Sequence, residues 1–138
     1  MKIISNGKIN LYIKLYKKTK NNIHDLKTLI IPYYDAFDTI EIIKNENFEY
    51  CSNNNDLLNN STVLDAIKLF RDTFTDLDWN IRLFLNKQQP IGSGLGLSAS
   101  NSVFTIKLLC QYFNIDYYSK KVLKIINQLG NDALFFLL

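Results

Sequence analysis

Three of the five glycines in these 138 residues fall at alternate positions, Gly92, Gly94 and Gly96. That spacing restricts the fold more than any other feature. Before it, Trp79, Ile81, Leu83 and Leu85 fall at alternate positions, the period of a strand. After it, Ser98 to Phe113 reads as a largely buried helix. A glycine-rich turn from strand to helix lets the backbone take positive φ and lets a ligand approach closely. The helix behind it offers free N–H groups and the positive end of its dipole, which suit phosphate. Ser93, Ser98 and Ser100 are candidate hydroxyl ligands for phosphate oxygens or Mg2+. For the glycine spacing alone, a tight structural turn is the favoured explanation. Two common phosphate loops fit poorly. A Walker A loop ends in Lys followed by Ser or Thr, whereas this one runs Leu97-Ser98. A dinucleotide fingerprint needs wider glycine spacing and an acid ending the next strand, whereas Asp116 follows a helix.

The remaining pattern predicts an α+β domain with a largely antiparallel or mixed sheet packed against helices. Ile9, Leu11, Ile13 and Leu15 alternate with Lys8, Asn10, Tyr12 and Lys14, predicting a half-buried first strand with Lys8 on its polar face. Asn21-Asn22 reads as a turn. Leu29–Tyr34 and Thr39–Ile43 read as strands broken near Pro32 and Asp35, and Phe48–Cys51 as a short strand. A polar loop over Ser52–Asn60 precedes a helix from Thr62 to Phe74, capped by Ser61 or Thr62. The last helix has Ser119 as cap, Val122, Ile125, Ile126 and Leu129 as its apolar stripe, and Gly130 as its stop. The final run Phe135–Leu138 reads as a buried strand.

Net charge is +3 with both signs intermixed, so no basic face of the kind that binds nucleic acid is expected. Cys51 and Cys110 are isolated, which gives no disulfide framework and no metal site and favours a reducing cytoplasm. Met1–Asn6 holds no signal-like apolar stretch, and Ala133–Leu138 is too short to span a bilayer, so no membrane partner is expected.

The string Pro90-Ile91-Gly92-Ser93-Gly94-Leu95-Gly96, with Ser98 to Asn101 behind it, resembles the second motif of the GHMP kinases. Gly7-Lys8-Ile9-Asn10-Leu11 resembles the family's first motif, Asn22-Ile23-His24-Asp25-Leu26 its histidine segment, and Asp38-Thr39-Ile40 a family strand. Leu129-Gly130-Asn131-Asp132-Ala133-Leu134-Phe135-Phe136 resembles a late family motif. The order resembles the branch that phosphorylates the 2-hydroxyl of diphosphocytidyl-methylerythritol in non-mevalonate isoprenoid synthesis. The resemblance implies a GHMP N-terminal domain over residues 1–138, with a left-handed βαβ crossover and with ATP and Mg2+ as cofactors. It implies ATP phosphates on Pro90–Ser100, Lys87 near the nucleotide, and Lys8 with Asp132 as the catalytic pair. His24 and Asn10 are implied on the substrate side.

The chain departs from the family pattern at several of these positions. Leu97 puts bulk where backbone would approach phosphate, and Ala99 lacks a serine hydroxyl. Ile23 replaces a tyrosine and Asp56 an asparagine. Members of the family continue into a third glycine motif and a second domain. The expectation is therefore a C-terminally truncated kinase, either a gene fragment or one half of a split gene whose other half is a separate polypeptide. Two further readings stay open: a remnant that folds or binds nucleotide without catalysis, and a nucleic-acid module of the related architecture seen in ribosomal proteins.

Overall fold

The computed structural model describes residues 1–18 and 24–137. Strand β1 (Lys2–Lys18) pairs antiparallel with β2 (His24–Lys44), and β2 pairs antiparallel with β4 (Ile81–Asn86). The short β3 (Glu49–Ser52) lies parallel to β4, completing a mixed sheet of order β1-β2-β4-β3. Helix α1 (Thr62–Thr73) makes the crossover from β3 to β4. Helices α2 (Leu97–Phe113) and α3 (Lys120–Gln128) follow, and a 3₁₀ helix over Asn131–Leu137 ends the described chain. The architecture is α+β, as the element order predicts.

Alternation builds the core. Ile40 and Ile42 of β2 stand in register with Leu85 and Leu83 of β4, and all four are buried. Against them pack Val63, Ala66, Ile67 and Phe70, which recur at helical spacing along α1. Helix α1 begins at Ser61, whose hydroxyl accepts the Leu64 N–H, and α3 begins at Ser119, whose hydroxyl accepts the Val122 N–H. Val122, Ile125 and Ile126 then bury the face of α3 that the stripe predicts. Phe70 is the central aromatic, with the rings of Phe74, Trp79 and Phe113 around it. Trp79 packs beside the core but precedes the strand, which starts at Ile81.

Four expectations are corrected. The β1 alternation does not turn one face to the core: Leu11, Ile13 and Leu15 are all more than half exposed. That half of β1 pairs with the equally exposed Leu26 and Leu29 stretch of β2, where no helix among the described residues covers either face. Lys8 is not on a solvent face but buried at 7% exposure, because the register shifts between Asn6 and Gly7 and interrupts the alternation. The strands on either side of Pro32 and Asp35 are one continuous β2; the break is a bulge, the partner register stepping from Phe37 to Tyr33. Finally, Phe135–Leu137 is not a strand. The three-residue spacing of buried Ala133 and Phe136 matches a 3₁₀ turn and seats both side chains against the core. The turn expected at Asn21-Asn22 lies outside the described residues. No helix among the described residues is long and apolar enough to cross a membrane.

Candidate functional site

Gly92, Gly94 and Gly96 have φ values of 76°, 78° and 69°, so the loop is built from the left-handed conformation that glycine takes at little cost. Gly96 is the N-cap of α2 and supplies no side-chain cap. The first bond of the helix runs from the Ser100 N–H to the Gly96 carbonyl. The N–H groups of Leu97, Ser98 and Ala99 therefore have no acceptor within the helix. These donors adjoin a cavity of about 350 Å³. Its walls include Pro90 to Gly94, Gly96, Leu97 and Ser98 from the loop and helix, Leu57 and Asn60 from the segment before α1, and Ser61, Thr62 and Asp65 from the start of α1.

Two helix starts thus meet at one cavity. Thr62 holds them together: its hydroxyl lies 2.9 Å from the Ser98 carbonyl and 3.0 Å from the Ser98 hydroxyl. Ser93, at the loop tip, is exposed and its hydroxyl accepts the Leu95 N–H. Ser100 is otherwise employed. It is fully buried and donates to the Asn6 carbonyl at 2.7 Å, tying α2 to β1 instead of facing a ligand. Leu97 is also buried, at 3% exposure, so its bulk is turned into the protein and forms part of the cavity wall instead of standing across the entrance. Ala99 is half-buried against the core, Ile91 is exposed, and Asp56 is exposed in a 3₁₀ turn and is not a wall residue.

On the far side of Gly96 stands Lys8. Its backbone N–H donates to the Leu95 carbonyl at 2.7 Å, and a Cβ added to Gly96 would come within 2.8 Å of Lys8 Cγ and Cε. At Gly96, then, a single thickness of chain separates the cavity from the lysine stem. Gly7 makes the same approach possible from β1, since a Cβ there would meet the Leu95 and Ala36 carbonyls at 3.2 and 3.3 Å. Lys8 Nζ donates to Asn10 Oδ1 at 2.9 Å and lies 3.6 Å from Asp132 Oδ2. The second distance is an ion pair and not a hydrogen bond. Asp132 reaches this point from the 3₁₀ helix after Gly130, whose φ is 115°, and its side chain is 54% exposed. The structure thus brings Lys8, Asn10 and Asp132 together. The expectation for His24 concerns a side chain outside the described residues.

Lys87 lines the cavity, yet its ammonium is committed: Nζ is 2.6 Å from the fully buried carboxylate of Asp38. That carboxylate also accepts the N–H groups of Gln88 and Gln89 and the side-chain amide of Asn101. The sequence pattern places Asp38 in a family strand but gives it no role. The available signal is an acidic residue within an otherwise buried stretch of β2. Asp65 also escapes sequence reasoning, Thr62 is legible only as a candidate helix cap and Asn101 only as the end of the loop motif, because ordinary polar residues at helix starts carry no distinguishing signal.

A family model described as the N-terminal domain of GHMP kinases matches residues 61–137, more than half of the chain. The chain is 32% identical over 137 residues to 4-diphosphocytidyl-2-C-methyl-D-erythritol kinase of Prochlorococcus marinus, covering 96% of this chain and 44% of that protein. It is 32% identical over 143 residues to the kinase of the same name from Ureaplasma urealyticum, covering 99% of this chain and 53% of that protein. The chain spans about half the length of the curated relatives it matches. A crystal structure of 4-(cytidine 5'-diphospho)-2C-methyl-D-erythritol kinase superposes with a TM-score of 0.82 at 21% identity, over 99% of this chain and 48% of that one. The mixed sheet with its helices is thus a known fold, and the chain belongs to the GHMP kinase family, matching that family's N-terminal domain.

Proposed function

We propose that residues 1–138 form the ATP-binding portion of a kinase for the 2-hydroxyl of 4-diphosphocytidyl-2-C-methyl-D-erythritol. The observation that carries this reading is the arrangement around Gly96. A cavity edged by three positive-φ glycines and a helix N-terminus lies on one side, and a lysine–aspartate pair lies on the other. The sequence relatives carry that activity in their names, which supports the choice of substrate.

The residues fit a nucleoside triphosphate. Free N–H groups at the loop and at the start of α2 suit phosphate oxygens, and the apolar walls at Leu57, Val63 and Leu85 suit a base. Bound MgATP supplies the transferable phosphoryl group and a metal ion to neutralise its charge. In this reading Asp132 accepts or orients the proton of the attacking hydroxyl. Lys8, fixed through Leu95 and Asn10, holds that carboxylate and offsets developing negative charge. Asn10 and His24 are assigned to the substrate side. The chain spans about half of the relatives' length, and in this reading a segment equivalent to their remaining half, on the same polypeptide or a second one, completes the substrate site.

Transfer from ATP to 4-diphosphocytidyl-2-C-methyl-D-erythritol, followed by 31P NMR on residues 1–138 with and without such a segment, tests the reading. Asp132→Asn is expected to slow transfer about a hundredfold, the low end for loss of a general base. Its MgATP affinity should stay within about threefold of wild type, because Asp132 is not a wall of the cavity. A second reading, nucleotide binding without transfer, is favoured by the 3.6 Å gap between Lys8 and a half-exposed Asp132. Saturable MgATP binding with no product under either condition would establish it.

A further inference from the structure

We propose that Asp38 is the positioning residue for the phosphate loop, and that Lys87 serves Asp38 rather than the nucleotide. The inference deepens the nucleotide-binding reading and rests on it. Its ground is a hydrogen-bond network with a single hub. Asp38 is fully buried in β2, and both carboxylate oxygens are used. Oδ1 accepts the backbone N–H of Gln88 at 2.7 Å and of Gln89 at 3.1 Å, the two residues that lead into Pro90 and the loop. Oδ2 accepts Lys87 Nζ at 2.6 Å and Asn101 Nδ2 at 2.9 Å. Asn101 sits in the first turns of α2, and its Oδ1 in turn accepts the Ser5 hydroxyl of β1. One carboxylate therefore fixes the entrance of the loop, the helix at its exit, and, through Asn101, the strand that carries Lys8.

The same geometry assigns the charge. Lys87 is held by its backbone as well, its N–H donating to Asn53 Oδ1 at 2.7 Å and its carbonyl accepting from Asn53 Nδ2 at 2.9 Å. With the main chain clamped and the side chain 8% exposed, its ammonium points at Asp38 and neutralises a carboxylate that pairs with no other cation among the described residues. A buried carboxylate without a counter-charge is strongly disfavoured. The net charge that Lys87 and Asp38 together present to the cavity is zero. Phosphate charge is then met by the loop amides and the α2 N-terminus.

Electrostatics alone and positioning predict opposite signs for Asp38→Ala. Removing a negative charge beside an anion site should tighten anion binding by Coulomb's law. Loss of the acceptor for Gln88 and Gln89 should weaken it by releasing the loop. The paired variant Asp38→Asn with Lys87→Met removes both charges and keeps an oxygen for the two backbone amides. The amide of Asn101 can rotate to accept from the nitrogen of the new carboxamide and to donate to the Ser5 hydroxyl, so every polar group keeps a partner.

The experiment is MgATP titration by calorimetry with amide hydrogen exchange at Gln88 and Gln89. Asp38→Ala is expected to bind MgATP at least tenfold more weakly and to lose protection at both amides. The paired variant is expected to bind within about threefold of wild type with protection kept. Equal or tighter binding by a folded Asp38→Ala overturns the positioning role. A paired variant at least tenfold weaker, with its amides still protected, overturns the assignment of Lys87 and makes it a nucleotide contact. If Asp38→Ala fails to fold, the paired variant still decides the assignment of Lys87, and wild-type exchange decides that of Asp38: unprotected amides at Gln88 and Gln89 overturn its positioning role. If the wild type binds no MgATP, the kinase reading fails separately, and the exchange data alone judge whether Asp38 orders the loop.

Discussion

Gly94→Asp is expected to weaken MgATP binding about a thousandfold, while leaving the thermal unfolding midpoint within a few degrees of wild type. Gly94 lies at the crest of the loop with φ at 78°, and a Cβ there meets nothing within 4 Å. Space is therefore not the obstacle, and aspartate is among the residues that tolerate this conformation best. Charge is the obstacle. A carboxylate about 4 Å from a phosphate oxygen costs roughly 4 kcal/mol per charge at the effective dielectric of a protein surface. That converts to about a thousandfold in affinity. Calorimetric titration of the two proteins side by side checks it. Equal affinities would place the phosphates elsewhere.

Phe70→Ala is expected to cost about 3–5 kcal/mol, measured by urea unfolding, without any direct effect on the loop. Phe70 has no exposed surface and touches elements far apart in sequence, its ring 4.8 Å from that of Phe74, 6.2 Å from Trp79 and 6.4 Å from Phe113. Truncation leaves a cavity at the junction of α1, the entry to β4 and the end of α2. The loss would be a large fraction of the roughly 5–15 kcal/mol that holds a domain together. Leu11→Ala is the contrast. Its side chain is 59% exposed on the outer part of β1, so its replacement should change stability by no more than about 0.5 kcal/mol. A large effect at Leu11 would mean that the alternation of β1 does mark a buried face.

The features legible in the sequence are those that depend on neighbours in the chain. Ser61 and Ser119 cap their helices by bonding to N–H groups three residues on, and each is readable as a polar residue before an apolar stripe. The three loop glycines follow the same logic, because positive φ is a local demand. What escapes such reading depends on tertiary geometry. The β1 alternation promises a buried face, yet nothing in residues 9–15 says that no helix will lie over them. Lys8 reads as a surface lysine because the bulge beside Gly7, which puts it against Gly96, has no sequence mark beyond the glycine itself. Asp38 finds its partners 49 to 63 residues further along, a separation at which no local pattern operates. Phe135 and Phe136 look like strand because they are apolar, but a seat against the core is equally available to a 3₁₀ turn.

The loop and its cavity carry the functional argument, and the amide NMR spectrum of the chain titrated with MgATP tests them most directly. The account predicts saturable shifts at Gly92, Gly94, Gly96 and Ser98, with much smaller changes on the exposed part of β1. A spectrum that stays unchanged at millimolar MgATP, or changes located away from the loop, would contradict it.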